Sequence, residues 1–310
     1  MDWTDRIGRR LKPRDLHVFL AVAEAGSMAK AAETLACSRP VVSKTITELE
    51  ATLGVTLLDR TAHGVEPTRY GRVLLARSVA VFDELRKSVK EIEFLAEPGQ
   101  GEVRFGCLEP LMVGLAAEAL VRLSKQYPRL KFHTELGNAD AQIQFLRSRK
   151  CEVALTRRLP GPAEPDMNEE ELFHERLRVV VSPESTWARR RKISLRDLAG
   201  EAWIIAPHEA DPGAPLFEGF RAAGVEMPPI NIFSYSLSLR CSLLSRGSFI
   251  TAVPASALEF GALKKLIVAL PIDLPPWRRP IVMTTLKDRT LSPAAQALMT
   301  CVRELCRPLR

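Results

Sequence analysis

Residues 38–53, SRPVVSKTITELEATL, leave little choice of local structure. Val42, Ile46, Leu49 and Leu53 recur at spacings of four, three and four, the period of a helix with one buried face. Ser38 stands where an N-cap would stand, and Pro40 fits the first turn, where a missing N–H costs little. Ser38, Arg39, Val41, Ser43, Lys44 and Thr47 then face outward. A helix whose first turns carry hydroxyls, a guanidinium and an ammonium above an apolar back suits a DNA major groove. An ordinary amphipathic surface helix has the same pattern, so the flanking segments must decide between the two.

Those segments favour DNA. Arg14 to Ala25 reads as a helix with Leu16, Phe19, Leu20 and Ala23 on one side, ended by Gly26. Ser27 caps a second helix, Met28 to Ala36, whose Ala31, Ala32 and Leu35 point inward. Helix, helix, turn, outward-polar helix is the helix-turn-helix order. Gly54 closes the third helix. Residues 55–67 then read as two short strands about a turn at His63-Gly64, a wing that reaches DNA backbone.

Thr68 to Leu95 is a long helical pattern without proline. Leu75, Phe82 and Val89 form one seven-residue series, and Ser78, Leu85 and Ile92 a second, as in the a and d positions of a short coiled coil. Residues 97–101, EPGQG, read as a linker. Beyond it the pattern alternates. Strands are expected at 102–107, 130–136, 152–156, 177–181, 203–206, 230–233, 249–253 and 281–285. Helices are expected at 111–127, 139–149, 215–223, 237–246, 256–260 and 293–306. Alternation of this kind implies parallel α/β sheets. Residues 158–168, RLPGPAEPDMN, read as a proline-rich loop.

Composition narrows the class of protein. The formal net charge of +7 permits nucleic-acid binding without proving it. The six cysteines form no C-x-x-C pair, so neither a zinc site nor a disulfide framework is indicated. No apolar run approaches the ~18 residues of a membrane span, and the N-terminus lacks an apolar secretion segment. A cytosolic chain with free thiols is the simplest account.

A dense, ordered set of residues resembles the LysR-type transcriptional regulators. It comprises Leu16-x-x-Phe19, Gly26-Ser27-Met28-x-x-Ala31-Ala32-x-x-Leu35, Ser38-Arg39-Pro40-Val41-Val42-Ser43, Ile46-x-x-Leu49-Glu50-x-x-Leu53-Gly54, Leu57-Leu58-x-Arg60 and Pro67-Thr68-x-x-Gly71. The resemblance implies a winged helix-turn-helix over 1–67, a dimerising linker helix over 68–97 and an effector domain over 98–310. That domain is expected to be like a periplasmic binding protein, an α/β fold with lobe I at about 102–176 and 281–310 and lobe II at about 177–280. Double-stranded operator DNA, a second copy of the chain in a dimer of dimers, and RNA polymerase are the implied partners. A small-molecule effector is implied, with no cofactor and no metal. The implied place is the cytoplasm, on the nucleoid. Arg39 departs from the family, which usually has Gln there; Arg favours guanine where Gln favours adenine. Leu58 and Met28 replace aromatic residues, which changes core shape alone.

Ser38, Arg39, Pro40, Ser43 and Lys44 form the expected recognition set. Ser27 and the start of the second helix would meet phosphate. Arg60, His63 and Thr68 would touch DNA backbone. For each, the alternative is a solvated charge or a helix cap.

Ligands of parallel α/β sheets bind at the carboxyl ends of strands. Those ends give Cys107, Leu108 and Glu109, then Thr156 and Arg157, in lobe I. In lobe II they give His208, Tyr235 and Ser236, and Gly247, Ser248 and Phe249, the last group also on the resemblance of GSFIxxVP to the family's glycine-rich turn. Helix N-termini there favour anions, and many relatives sense small carboxylates or aromatic acids. Glu109 would repel an anion unless Arg157 or Arg158 pairs with it, so neutral, cationic and amphiphilic effectors fit as well. Cys107 is either a thiol sensor or a small buried strand residue. His208 has no second histidine at metal-ligand spacing.

The enzyme signatures G-x-S-x-G, H-E-x-x-H and the Walker loop are missing, and the run at Gly99-Gln100-Gly101 has Arg104 in place of a third glycine. An enzyme is not expected. The chain reads as an effector-gated transcription regulator, with an effector-independent architectural DNA-binding protein as the alternative.

Overall fold

The computed structural model describes residues 10–61, 64–97, 99–260, 263, 265–276 and 280–309, with the backbone alone at 60 and 61. The chain divides into two compact units between Val89 and Lys90.

The first unit contains α1 (Pro13–Ala25), α2 (Met28–Thr34), α3 (Arg39–Leu53), a hairpin of β1 (Leu58–Thr61) and β2 (Gly64–Pro67), and most of α4 (Arg69–Ala96). Val42, Ile46 and Leu49 bury the back of α3 against Phe19, Val22, Ala31 and Leu57. Each side chain of this size contributes roughly 1.5–3 kcal/mol when fully buried. The wing is antiparallel, with Leu58 opposite Pro67 and Thr61 opposite Gly64. Two residues of the family motif act in building this unit. Glu50 Oε1 accepts hydrogen bonds from Leu57 N at 2.7 Å and Leu58 N at 3.2 Å, which pins the wing to α3. A Cβ on Gly71 would lie 2.0 Å from the Leu57 carbonyl oxygen, so only glycine lets α4 start there.

The heptad expected along residues 68–95 holds for only part of the helix. Ser78 is buried, Leu75 packs on the core of the first unit, and Phe82 lies 5.7 Å from the His17 ring. Asp83 and Lys87 form a buried pair at 3.0 Å. The first half of α4 therefore serves its own unit. The uncovered apolar stripe starts later, with Val81, Leu85, Val89, Ile92 and Leu95 exposed. The division between the two units falls inside α4.

The second unit has two sheets. In chain order its elements are β3 (Gly101–Cys107), α5 (Glu109–Leu111) running through a π turn at Met112–Ala116 into α6 (Ala117–Gln126), β4 (Leu130–Leu136), α7 (Ala139–Arg147), β5 (Val153–Arg157), β6 (Met167–Phe173), β7 (Leu177–Val181), β8 (Ala202–Ile205), α8 (Pro215–Ala222), β9 (Ile230–Phe233), α9 (Leu237–Leu244), β10 (Phe249–Pro254), α10 (Ala255–Glu259), β11 (Val268–Ala269), β12 (Ile281–Leu286) and α11 (Pro293–Cys306). Lobe I has strand order β4-β3-β5-β12-β6, and lobe II has β9-β8-β10-β7-β11. In each, three strands run parallel and the remaining two join antiparallel. The cores are separate, one around Phe105, Leu115, Leu155 and Val302, the other around Val179, Trp203, Phe220 and Ile250.

β6 and β11 were not expected. β6 reads MNEEELF, and its consecutive glutamates mask the alternation of a strand. They are tolerated because Arg158 pairs with Glu169 at 2.9 Å and Arg303 with Glu170 at 2.9 Å. β11 is two residues long, too short to carry a periodic signal.

Candidate functional site

α3 presents the chemistry that its pattern promised. Ser38, Arg39, Pro40, Val41, Lys44 and Thr47 are exposed, and Ser43 is half-buried. Ser38 occupies the N-cap with extended backbone, yet its hydroxyl makes no cap hydrogen bond. Arg39 forms no ion pair among the described residues. Lys44 has only a loose pair with Glu48 at 3.8 Å, both side chains well exposed, and such a pair holds it weakly. Ser27 likewise sits at the N-cap of α2 without a side-chain cap bond. Thr68 differs: its hydroxyl donates to the Thr56 carbonyl at 2.8 Å and accepts from Gly71 N at 3.1 Å. That hydroxyl closes the wing onto α4. Arg60 lies on β1, and His63 lies outside the described residues.

The second group lies where strands of the two lobes end. Glu109 follows β3, and its carboxylate accepts from Leu237 N at 2.8 Å and from Ser238 N and Ser238 Oγ, both at 3.3 Å. Arg158, one of its expected partners, donates through Nε to Glu169 at 2.9 Å. Ser236 caps α9 by accepting from Leu239 N at 3.2 Å. Tyr235 and His208 stack, with ring centroids 5.6 Å apart and an interplanar angle of 12°.

Beneath them lies a buried polar network. Arg240 donates to Glu209 Oε2 at 3.1 Å, to Thr251 Oγ1 at 3.3 Å and to the Ala252 carbonyl at 3.0 Å. Ala206 N donates to Glu209 at 2.9 Å. Burial pushes the Glu209 carboxyl up, against the pull of the Arg240 charge. Burial also pushes Glu175 up, against its hydrogen bonds from Ser256. The Arg157 charge acts on both carboxyls, which places this half-buried arginine within electrostatic reach of each. Glu109 meets α9 just after Ser236, and Tyr235 stacks on His208, so these four residues lie together.

Other expected residues do not. Cys107 is buried in the core of lobe I, and desolvation pushes its thiol up. Leu108 packs on the same core. Thr156 is buried, on the strand face that Ala154 presents to α7. Gly247, Ser248 and Phe249 lie at the wrong end of their strand. β10 runs parallel to β8 with Phe249 opposite Ala202 and Thr251 opposite Ile204. These three residues thus mark the amino end, and β10 carries its chain about 16 Å toward the cleft before ending. The carboxyl end, at Val253-Pro254 and Ser256, is the part that approaches Glu175. Glu175, Glu209, Arg240 and Ser238 were missed. Arg240 left one trace: a lone arginine in the otherwise apolar and hydroxylated helix LSLRCSLL.

A winged helix-turn-helix followed by a two-lobed α/β domain with a polar cleft is the architecture of a ligand-responsive transcription regulator. The chain belongs to the LysR family. The family model "LysR substrate binding domain" matches residues 96–307, and "Bacterial regulatory helix-turn-helix protein, lysR family" matches residues 13–72. The chain is similar to the uncharacterized HTH-type transcriptional regulator YdcI of Escherichia coli strain K12, 25% identical over 98% of this chain and 99% of that one. It is similar to the HTH-type transcriptional regulator GbpR of Azospirillum brasilense, 27% identical over 95% of this chain and 86% of that one. Its fold is that of full-length CbnR in complex with its target DNA, with a TM-score of 0.65 and 24% identity over 95% and 99% of the two chains. The protein is a LysR-type, DNA-binding transcription regulator with an effector-binding domain, in a family of transcription regulators. No helix among the described residues is long and apolar enough to cross a membrane.

Proposed function

We propose that α3 reads operator DNA through Ser38, Arg39, Pro40, Ser43 and Lys44, with Ser27 on phosphate and the wing, including Arg60 and His63, along the backbone. The observation that carries this reading is the first turns of α3. They expose hydroxyls and cations that hold few partners within the chain, over a fully buried apolar back. The effector is a small molecule bound between the lobes near Glu109, Arg157, His208, Tyr235 and Ser236, and it acts by changing lobe closure. The uncovered stripe Val81, Leu85, Val89, Ile92 and Leu95 fits a second copy of α4, and a dimer of dimers with RNA polymerase as a further partner follows the family pattern. The protein works on DNA in the bacterial cytoplasm and has no catalytic role.

Selection of genomic fragments on the purified protein, repeated at raised salt, tests this. A small set of sites sharing an imperfect palindrome supports the reading; uniform binding that vanishes with salt refutes it. At a mapped site, Arg39→Ala should weaken binding by about 1–3 kcal/mol and relax one base position. Unchanged affinity in a gel-shift titration would remove Arg39 from the groove.

A further inference from the structure

The leading amides of a helix have no intrahelical acceptors and draw negative charge. In α9 all four have partners already. Ser236 N donates to Ser234 Oγ at 3.1 Å, Leu237 N and Ser238 N donate to the Glu109 carboxylate, and Leu239 N donates to Ser236 Oγ. Ser238 Oγ adds a third bond to Glu109. Glu109 extends from lobe I and α9 belongs to lobe II, 128 residues further along the chain. The corresponding helix of lobe I, α7, is capped by its own Asn138, which accepts from Ala141 N at 2.9 Å.

We propose that Glu109 determines which effectors this cleft accepts. It is a tethered carboxylate in the anion seat of α9. It ties the two lobes together without a ligand and shuts small anions out of that seat. The inference rests on the reading of this cleft as the effector site. Hydrogen bonds to an ionised acceptor are roughly twice as strong as neutral ones. A free carboxylate would have to displace one held in place by the chain at high effective concentration, and would approach against its charge. Neutral or cationic effectors meet neither obstacle. A ligand that brings donors to Glu109 competes with α9 for it and so loosens the tie between lobes.

Hydrogen exchange and thermal melts on the full-length protein test this, with sodium acetate as the anion probe against sodium chloride at equal ionic strength. Wild type should protect the Leu237 and Ser238 amides and melt alike in both salts. In Glu109→Ala those amides should exchange about tenfold faster, while acetate restores protection and raises the melting temperature. Glu109→Gln keeps size and removes charge; its amide group also turns a donor toward a donor, so protection should fall there too. Unchanged protection in the variants would overturn the proposal, as would acetate stabilising wild type as much as Glu109→Ala. Should the alanine variant fail to protect the strands β3 and β12, the glutamine variant decides alone. No readout involves operator DNA, so failure here leaves the DNA-binding reading standing, and failure of fragment selection leaves the Glu109 tie between lobes standing.

Discussion

The two lobes share a strand plan and differ in how each fills one buried position. α7 follows β4 and α9 follows β9, each at one edge of its sheet. Each helix is capped by a side chain, Asn138 or Ser236. Four residues after each cap comes a buried polar side chain, Gln142 in lobe I and Arg240 in lobe II. Gln142 Nε2 donates to the carbonyls of Cys107 at 3.0 Å and of Glu135 and Gly137, both at 3.3 Å. Its amide nitrogen is served by backbone carbonyls alone, while Oε1 is buried with no hydrogen-bond partner among the described residues. Arg240 brings a charge into a dry site, where an uncompensated ion is costly. It therefore comes with Glu209, itself buried. Lobe I closes its polar site locally. Lobe II carries a charged network that adjoins the cleft, and its helix takes its anion from lobe I.

The largest test of this contrast is Arg240→Met. It leaves Glu209 buried without its cation and should cost about 3–5 kcal/mol, read as a lower urea midpoint. Arg240→Met with Glu209→Leu should recover most of that loss, because an apolar pair of similar volume removes the stranded charge. If the double variant is no better than the single, the charge is not the cause.

Lobe I should be more sensitive to shape than to charge. A Cβ on Gly106 would lie 1.7 Å from Gln142 Oε1. Gly106→Ala should therefore force Gln142 from its three carbonyls and cost about 1–3 kcal/mol by overpacking. Adding Gln142→Ala should cost little more, since both changes act on one contact. Additive losses in a double-mutant cycle would show that Gly106 matters for another reason.

The smallest effect belongs to the exposed rim of lobe I. Glu102 accepts from Lys90 at 2.7 Å and lies 3.2 Å from His133. The hydrogen bond from Lys90 is the main cause that holds its carboxyl down at about 2. A depressed carboxyl contributes stability above its unfolded value, ~4.3, and loses it as pH falls through the folded one. Glu102→Gln should cost less than about 1 kcal/mol at neutral pH. The gap from wild type should narrow as the pH drops from about 4 toward 2. A gap that widens on acidification would reverse the sign of this assignment.

What could be read from the chain alone was whatever depends on nearby residues. The buried stripe of α3, the order of helices around it, the two hairpin strands, and the switch to alternating strands and helices at residue 102 all rest on periodicity within a few turns. So does the resemblance, and the structure explains several of its residues mechanically: Glu50 pins the wing, and Gly71 admits the Leu57 carbonyl. The carboxyl ends of β3 and β8 were also legible, because a strand followed at once by a helical turn marks its own end.

The tertiary structure decided which of these ends share a cleft and what fills it. Gly247 to Phe249 looked like a binding turn, but only pairing with β8 shows that they sit at the far end of the sheet. Cys107 could be read as a thiol sensor or as a small buried strand residue, and the paired strand places it in the core. β6 was hidden because its glutamates find arginines from elsewhere in the fold. Glu209 with Arg240, and Glu109 with α9, are pairs of residues 31 and 128 positions apart. Local pattern carries no record of such distances. Burial, strand register and the meeting of two lobes set them, and these exist only once the chain has closed on itself.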